Sequence, residues 1–255
     1  MLALISDIHA NREALEAVLQ EIRRLRCERI YCLGDLVGYG PDPVWCVDTV
    51  LETCDVVLAG NHDQALIYGR RGFTEMAETA ISYHRKLLAP SRRLPGDDER
   101  RPARWQALKS LPHRHVEDGR LFVHASPRNP INEYLRAGDA RLGLEQKLTA
   151  NFALVQWLAF VGHTHKPGVI TASFEFLTPD ACGGLYRAMP GRKAIINAVS
   201  VGQPRDGDPT ACFVTVDETD VRWHRVAYDL EVTVEKIHAA GALDYRFAER
   251  LKTAV

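Results

Sequence analysis

The chain opens on the pattern that decides its fold, LALISDIH over residues 2–9. Its four apolar residues predict a short buried strand, and Asp7 and His9 follow directly after that strand. The same order, a buried run and then polar side chains, returns in YCLGD at 31–35, VLAGNHD at 57–63, LFVH at 121–124 and FVGHTH at 160–165. Because ligands bind at the carboxyl ends of the strands in open α/β sheets, these polar groups are predicted to converge on one edge.

Three glycines belong to these blocks, Gly34, Gly60 and Gly162. Each stands just before a candidate functional side chain, where the strand has to turn sharply. Glycine adopts backbone angles that other residues resist. The sequence therefore predicts turns that need glycine for its conformational freedom.

The elements around the blocks predict one domain over residues 1–255. Strands alternate with helices from the start of the chain, and Asn11 can cap the first helix, which favours a largely parallel sheet covered on both faces. Residues 69–112 are predicted to form a helical surface insertion with a mobile loop at 92–101. Beyond Gly168, short alternating runs at 169–177, 194–197, 212–216 and 221–226 predict antiparallel strands of a second sheet, followed by helices at 230–240 and 245–251.

Composition excludes several classes of protein. The 255 residues include 32 Lys and Arg against 33 Asp and Glu, and 46% are apolar, as in an ordinary globular protein and unlike a disordered or fibrous one. A net charge of −1 argues against nucleic acid or an anionic membrane as a partner. No apolar stretch predicts a membrane span, and the cytoplasm is the expected location. The six scattered cysteines predict reduced thiols.

The candidate ligands are Asp, His and Asn without a thiolate. This combination suits Mn²⁺, Fe, Zn²⁺, Co²⁺ or Ni²⁺ better than Ca²⁺ or Mg²⁺ alone. Seven ligands are too many for a single four-coordinate centre, but they divide into two sets of four if one carboxylate is shared. A pair of divalent cations about 3.5–4 Å apart can activate a water for attack at phosphorus.

In their order and spacing, the five blocks resemble the signature blocks of the calcineurin-like metallophosphoesterase superfamily, over residues 1 to about 206. GDLVGYGPD at 34–42, HASPR at 124–128 and VGQPRD at 201–206 further resemble the compact bacterial and archaeal phosphoesterases of that superfamily. The resemblance implies a four-layer α/β/β/α sandwich, in which two mixed sheets lie face to face and helices flank them.

The resemblance also implies a role for each block. One metal ion would be bound by Asp7, His9, Asp35 and His165, and the second by Asp35, Asn61, His124 and His163, with Asp35 bridging. His62 would face the substrate and protonate the leaving oxygen or stabilise the charged phosphorus centre. Two divalent ions per chain are the expected cofactors, with Mn²⁺ first and Fe, Zn²⁺, Ni²⁺, Co²⁺ or Mg²⁺ as alternatives.

Four further residues beside the blocks are candidates for substrate binding: Asn11, Tyr39, Arg128 and Arg205. Arginine offers a bidentate fork that matches phosphate, although a structural ion pair is an equal alternative for Arg128 and Arg205. The arginine-rich stretch 92–104 is predicted to be a solvated loop, with a lid for anionic substrates as the alternative. Asp63 is predicted to fix its loop by hydrogen bonding, and His84 to be an ordinary surface or packing residue.

The implied reaction is metal-dependent hydrolysis of a phosphate ester, in which a hydroxide held between two cations attacks phosphorus in line. A phosphodiesterase is preferred to a phosphomonoesterase or protein Ser/Thr phosphatase, and a nucleotide polyphosphate hydrolase is a third alternative. The expected partner is a small phosphate ester or nucleotide, and a homodimer through a sheet edge near the C-terminus stays open. A scaffold or phosphate sensor built on the same fold is the alternative from a different class.

Overall fold

A computed structural model describes residues 1–69, 72–90, 98–198 and 200–255. Within these residues the strands are β1 (Leu2–Ile5), β2 (Arg29–Cys32), β3 (Val56–Val57), β4 (Arg114–Glu117), β5 (Arg120–Val123), β6 (Leu158–Val161), β7 (Gly168–Thr171), β8 (Phe176–Leu177), β9 (Leu185–Arg187), β10 (Ala194–Asn197), β11 (Ala211–Asp217) and β12 (Asp220–Val226). The α-helices are α1 (Arg12–Arg24), α2 (Pro43–Thr53), α3 (Asn61–Tyr68), α4 (Glu75–Leu88), α5 (Arg101–Ser110), α6 (Glu145–Ala153), α7 (Leu230–Ala239) and α8 (Arg246–Thr253).

The strands form two mixed sheets of six strands each. The first has the order β3-β2-β1-β11-β12-β9 and the second the order β4-β5-β6-β10-β7-β8. In the first sheet β1, β2 and β3 are parallel, and β11 is antiparallel to β1. In the second sheet β5, β6 and β10 are parallel, and the outer strands are antiparallel. The parallel strands of each sheet therefore end on the same side of that sheet, which is where the sequence blocks are located.

The period-two alternation of the central strands builds the layers. Leu4 of β1 and Phe160 of β6 belong to one buried cluster between the sheets. Ile5, the next residue of β1, packs instead with side chains of α1 on the outer face of the first sheet, and Ala159 of β6 packs with side chains of α6 on the outer face of the second. Helices thus cover both outer faces, and the predicted α/β/β/α sandwich is confirmed.

The prediction that the runs 169–177, 194–197, 212–216 and 221–226 form the second sheet is wrong for the last two. β11 and β12 belong to the first sheet, where β11 pairs with β1 in the register Leu2 with Val216. Alternation identifies a strand but does not specify its neighbour. The edges of the first sheet are β3 and β9, so β11 and β12 do not offer the edge that was suggested for a dimer.

The described residues of the region 69–112 contain α4 and α5, in agreement with the helices predicted there. Of the loop predicted at 92–101, residues 92–97 lie outside the described residues. For Arg104 the prediction of a solvated loop is wrong: its side chain is buried in α5, and its Nε and Nη2 donate to the two carboxylate oxygens of Asp48 in α2, each at 2.6 Å. This ion pair ties α5 to α2. No helix in the described part of the chain is long and apolar enough to cross a membrane.

Candidate metal centre

The strand-end residues meet at one place, as their sequence pattern predicts. Of the seven predicted ligands, six are almost completely buried: Asp7, His9, Asp35, His124, His163 and His165. Asn61, at the start of α3, is half-buried. They come from both sheets and lie where β1, β2, β5 and β6 end. Polar side chains of this number and burial require partners that compensate for their lost hydration.

The backbone at the site is strained at five of the predicted ligands. Their φ angles lie in the left-handed region, at 54° for Asp7, 48° for His9, 56° for Asp35, 65° for His163 and 57° for His165. Each such conformation of a non-glycine residue costs about 1–3 kcal/mol and persists only where the surrounding structure enforces it. Strain of this kind is concentrated at functional sites, because it aims side chains at a common point.

The glycines of the blocks act in two different ways. Gly34 has a φ of 105°, so the predicted need for conformational freedom holds there. Gly60 has an ordinary φ of −96°, but a Cβ atom on it would lie 2.1 Å from Oδ1 of Asp35. A Cβ on Gly162 would lie 2.2 Å from Oγ of Ser6. At these two positions the reason for glycine is close approach to site residues, and the prediction based on backbone angles is wrong.

The tautomers of three histidines are fixed by backbone carbonyls. Nδ1 of His9 lies 3.0 Å from the carbonyl oxygen of Val37, and Nδ1 of His124 lies 3.1 Å from that of Leu33. Nδ1 of His165 is likewise bonded to the carbonyl of Gln203. A carbonyl oxygen only accepts, so each Nδ1 carries the proton and donates it. In the neutral ring each Nε2 then presents a lone pair to the centre.

These lone pairs face one another. Nε2 of His9 and Nε2 of His165 lie 3.2 Å apart, and with both in the acceptor form this contact cannot be a hydrogen bond. Nε2 of His165 also lies 3.1 Å from Oδ1 of Asp7, which is a second acceptor. Acceptors that converge without a donor repel each other. A cation between them turns that repulsion into attraction, as in metal sites where the other ring nitrogen is held by a carbonyl.

A second group of acceptors lies next to the first. Nε2 of His124 is 3.2 Å from Nδ1 of His163 and 3.1 Å from Oδ1 of Asn61. Oδ2 of Asp35 is 3.4 Å from Nε2 of His124 and 3.7 Å from Nε2 of His9, so this carboxylate lies between the two groups. Nε2 of His163 is buried and has no hydrogen-bond partner within the described residues.

The electrostatics of the site favour neutral imidazoles. Burial lowers the pKa of five histidines at the centre, because their charged forms would lose hydration: His9, His62, His124, His163 and His165. Neighbouring positive groups lower these pKa values further. The pKa of His163 falls to about 2. Burial and the nearby carboxylates of Asp63 and Asp7 raise the pKa of Asp35 well above its usual range. Neutral histidines are the form that binds metal, and a divalent cation would relieve the crowding of carboxylates.

The residues present therefore fit the binding of divalent cations. Ligand atoms within 4.8 Å of one another form three overlapping groups: Asp7 with His9 and His165, Asp35 with His124 and His163, and His9 with Asp35 and His62. The first two correspond to the predicted metal sites. The third places His62 beside both of them. Imidazole nitrogens and carboxylate oxygens are suitable ligands for Mn²⁺, Fe, Zn²⁺, Co²⁺ or Ni²⁺.

His62 lies at the N-terminus of α3, directly after Asn61. Its backbone N–H donates to Oδ1 of Asp35 at 2.8 Å, and its ring lies 4.8 Å from the ring of His9. Its Nδ1 is buried and has no hydrogen-bond partner within the described part of the chain. The ring is held by aromatic contacts with Tyr39 and Phe73, at 4.6 Å and 4.9 Å between centroids. His62 is therefore fixed in position beside the metal centre.

Asp63 fixes the loop, as predicted, and does so through its whole carboxylate. Oδ2 accepts from the backbone N–H groups of Asp35 and Gly60 at 2.8 Å and 2.9 Å. Oδ1 accepts from those of Leu36 and Val37 at 3.0 Å and 3.4 Å. One buried side chain thus holds the ends of β2 and β3 in the relation that positions Asp35 and Asn61.

Replacing Asp63 with alanine is expected to lower the free energy of unfolding by about 3–5 kcal/mol, because it leaves four buried N–H groups without an acceptor. Urea denaturation in EDTA measures this loss without a contribution from bound metal. Asp55 is a matched control, since it accepts a single backbone N–H, from Ile30, at an exposed position. Asp55→Ala is expected to cost about 1 kcal/mol or less. Equal losses in the two variants would contradict the role given to Asp63.

His84 is a site residue that the sequence did not reveal. It is buried in α4, where its Nδ1 accepts from the backbone N–H of Gly38 at 3.0 Å and its Nε2 donates to the carbonyl of Gly40 at 2.9 Å. Burial lowers its pKa to about 4, so the neutral ring that makes both bonds is the stable form. His84 therefore holds the segment that carries Tyr39, and its classification as an ordinary packing residue was incomplete.

The four candidates for substrate binding separate into two pairs. The amide of Asn11 is engaged within the fold: Oδ1 caps α1 through the N–H of Ala14, and Nδ2 donates to the carbonyl of Gly202 at 3.0 Å. Arg128 is exposed and forms an ion pair with Glu133, which matches its structural alternative. Tyr39 and Arg205 remain at the centre. Tyr39 lies 4.5 Å from the ring of His9, and the backbone N–H of Arg205 donates to the carbonyl of His165 at 3.2 Å.

Two sheets with helices outside, and a buried group of histidines and carboxylates at the strand ends, define a metal-dependent phosphoesterase. The chain belongs to the calcineurin-like phosphoesterase superfamily, whose domain model matches residues 1–219. It is therefore a phosphoric ester hydrolase of a metal-dependent family.

Relatives extend this likeness over nearly the whole chain. The chain is 34% identical to an uncharacterized protein of Methanocaldococcus jannaschii, over 93% of this chain and 91% of that protein. The crystal structure of a metallophosphoesterase from Sphaerobacter thermophilus is similar with a TM-score of 0.80 and 33% identity, over 100% of this chain and 99% of the other. A hypothetical protein of Pyrococcus horikoshii shares the fold, with a TM-score of 0.68 and 19% identity over 98% of both chains.

Proposed function

We propose that the protein is a phosphodiesterase that works with two divalent cations, for which Mn²⁺ is the preferred candidate. The two groups of ligands that would bind these cations share Asp35. The observation that carries this proposal is the convergence of acceptor atoms: Nε2 of His9 and Nε2 of His165 face each other at 3.2 Å, each with its Nδ1 proton held by a backbone carbonyl. When bound, such cations neutralise the charge of phosphate oxygens and lower the pKa of a water.

The protein's own residues would supply orientation and proton transfer. Asp63 and the strained backbone hold Asp35 in place before any substrate arrives, which is the preorganisation that electrostatic catalysis needs. His62 would donate a proton to the departing oxygen once the negative charge of a bound phosphate opposes the burial that lowers the pKa of its ring. Its ring is held in place by its aromatic neighbours, Tyr39 and Phe73.

A substrate screen tests the proposal. After removal of metal with EDTA, the protein would be assayed with bis-p-nitrophenyl phosphate and p-nitrophenyl phosphate in the presence of Mn²⁺, Ni²⁺, Co²⁺ or Mg²⁺ in turn. We expect activity to be lost with EDTA and restored most by Mn²⁺, with a higher kcat/KM for the diester than for the monoester.

The other outcomes are equally definite. A higher kcat/KM for the monoester would identify a phosphomonoesterase or a protein Ser/Thr phosphatase. Bound metal without turnover of any ester would favour a scaffold or a phosphate sensor.

A further inference from the structure

Two arginines from distant parts of the chain lie against one tyrosine at the edge of the metal centre. Arg205 follows β10, and Arg250 belongs to α8 near the end of the chain. Their guanidinium carbons lie 5.8 Å and 5.9 Å from the centroid of the Tyr39 ring. Phe247, also on α8, packs on the same ring at 5.1 Å. The fold thus gathers two cations and a phenol at one point.

Neither arginine is paired with a carboxylate side chain among the described residues. Arg205 donates through Nη2 to Oε1 of Gln203 at 2.8 Å, and its Nε is buried without a partner in that part of the chain. Arg250 donates through Nε to the backbone oxygen of Val255. By contrast, Arg104 and Arg128 are each paired with carboxylates.

The acidic residues nearest to them in sequence are engaged elsewhere. Asp206, next to Arg205, is bonded to Arg225 of β12. Asp244, just before α8, accepts from Arg246 at 2.6 Å. Among the described residues, the two arginines are therefore not paired with these nearby acidic side chains. Burial lowers the pKa of Arg250, and the neighbouring charge of Arg205 lowers it further. Half-buried like charges side by side are unfavourable until an anion joins them.

The location of this cluster relates it to the substrate. Tyr39 contacts the rings of His9 and His62, at 4.5 Å and 4.6 Å between centroids. Its own φ of 64° is left-handed, so this side chain too is held in a strained position. An anion bound by these guanidinium groups would therefore lie beside Tyr39, whose ring contacts two histidines of the metal centre.

We propose that Arg205, Arg250 and Tyr39 form an anion subsite that binds a second phosphate of the substrate. This inference rests on the proposed function and makes it more specific: the substrate is an ester of two or more linked phosphates, with the scissile phosphorus at the metal centre. Guanidinium forks bind phosphate oxygens in a bidentate way, and the Tyr39 hydroxyl can add a third donor.

Binding measurements test the subsite without turnover. Isothermal titration calorimetry of the metal-loaded protein would compare methylenediphosphonate, which has two linked phosphonates, with methylphosphonate, which has one. We expect the wild type to prefer the diphosphonate by at least about tenfold, and Arg250→Ala to reduce this preference by roughly 10–100-fold or abolish it, as the loss of a charge-assisted bidentate contact predicts. Arg246→Ala is the matched control, because Arg246 is an exposed arginine of α8 that is paired with Asp244.

The result is interpretable whatever Arg250→Ala does to stability. Arg250→Lys keeps the charge and the stem, and it is expected to retain part of the preference. An equal preference in the wild type and Arg250→Ala, or no preference in the wild type, would overturn the subsite. A preference that depends on Arg250 in a protein that hydrolyses no ester would uphold the subsite and overturn the proposed function. Hydrolysis of esters without any preference for the diphosphonate would uphold the proposed function and overturn the subsite.

Discussion

Replacing His62 with alanine is expected to lower kcat on an unactivated alkyl phosphodiester by roughly 10²–10⁴-fold, the usual contribution of a general acid. The loss on bis-p-nitrophenyl phosphate should be smaller, because nitrophenolate leaves without much need of a proton. The dependence on the leaving group separates proton donation from a general disturbance of the site, which would affect both substrates alike.

Metal content decides whether His62 acts as an acid or as a ligand. Its ring lies close enough to His9 and Asp35 to join a metal-binding group, so the two roles make different predictions. We expect His62→Ala to retain two metal equivalents per chain by inductively coupled plasma mass spectrometry. His238→Ala, at an exposed position of α7, is the control for loss of an imidazole. Loss of a metal equivalent, or an unchanged kcat on the alkyl ester, would remove His62 from the role of acid.

The centre was predictable from the sequence because its strands and ligands are adjacent in the chain. Asp7 and His9 follow β1 directly, and His163 and His165 follow β6 in the same way. A buried strand ending in polar residues is a local signal, and a parallel arrangement brings such ends together. The layers were predicted from the resemblance to the phosphoesterase superfamily, and the alternation along the central strands agrees with them.

Long-range contacts gave no comparable signal. His84 bonds to Gly38 across 46 residues, and nothing in the sequence near either residue indicates the other. Arg250 meets Tyr39 only because α8 packs against that loop. The pairing of β11 with β1 is similar, because antiparallel strands far apart in the chain are joined by register and packing rather than by a turn. Such features depend on the assembled fold.

The carboxylate that we propose to be shared, Asp35, leads to the second large effect. Replacing Asp35 with asparagine is expected to reduce the occupancy of both metal sites, because Oδ2 of Asp35 lies between Nε2 of His9 and Nε2 of His124, at 3.7 Å and 3.4 Å. The amide lacks the negative charge and brings a donor into a place that needs an acceptor. Turnover should fall by more than about 10²-fold, because the loss of a group that only supports a metal ligand already lowers metal affinity or activity by about 10–100-fold.

Asp7→Asn provides the comparison that makes this result specific. Asp7 belongs to one group of ligand atoms, with His9 and His165, whereas Asp35 belongs to two, one with His124 and His163 and one with His9 and His62. Metal analysis after dialysis should therefore find about one equivalent lost in Asp7→Asn and both lost in Asp35→Asn. Circular dichroism of the two variants in EDTA shows whether the fold is intact, since the amide oxygen can still accept the His62 N–H that Oδ1 accepts in the wild type. If folded Asp35→Asn protein still binds two full equivalents of metal, Asp35 is not a bridging ligand. The loss of a shared carboxylate would weaken both sites.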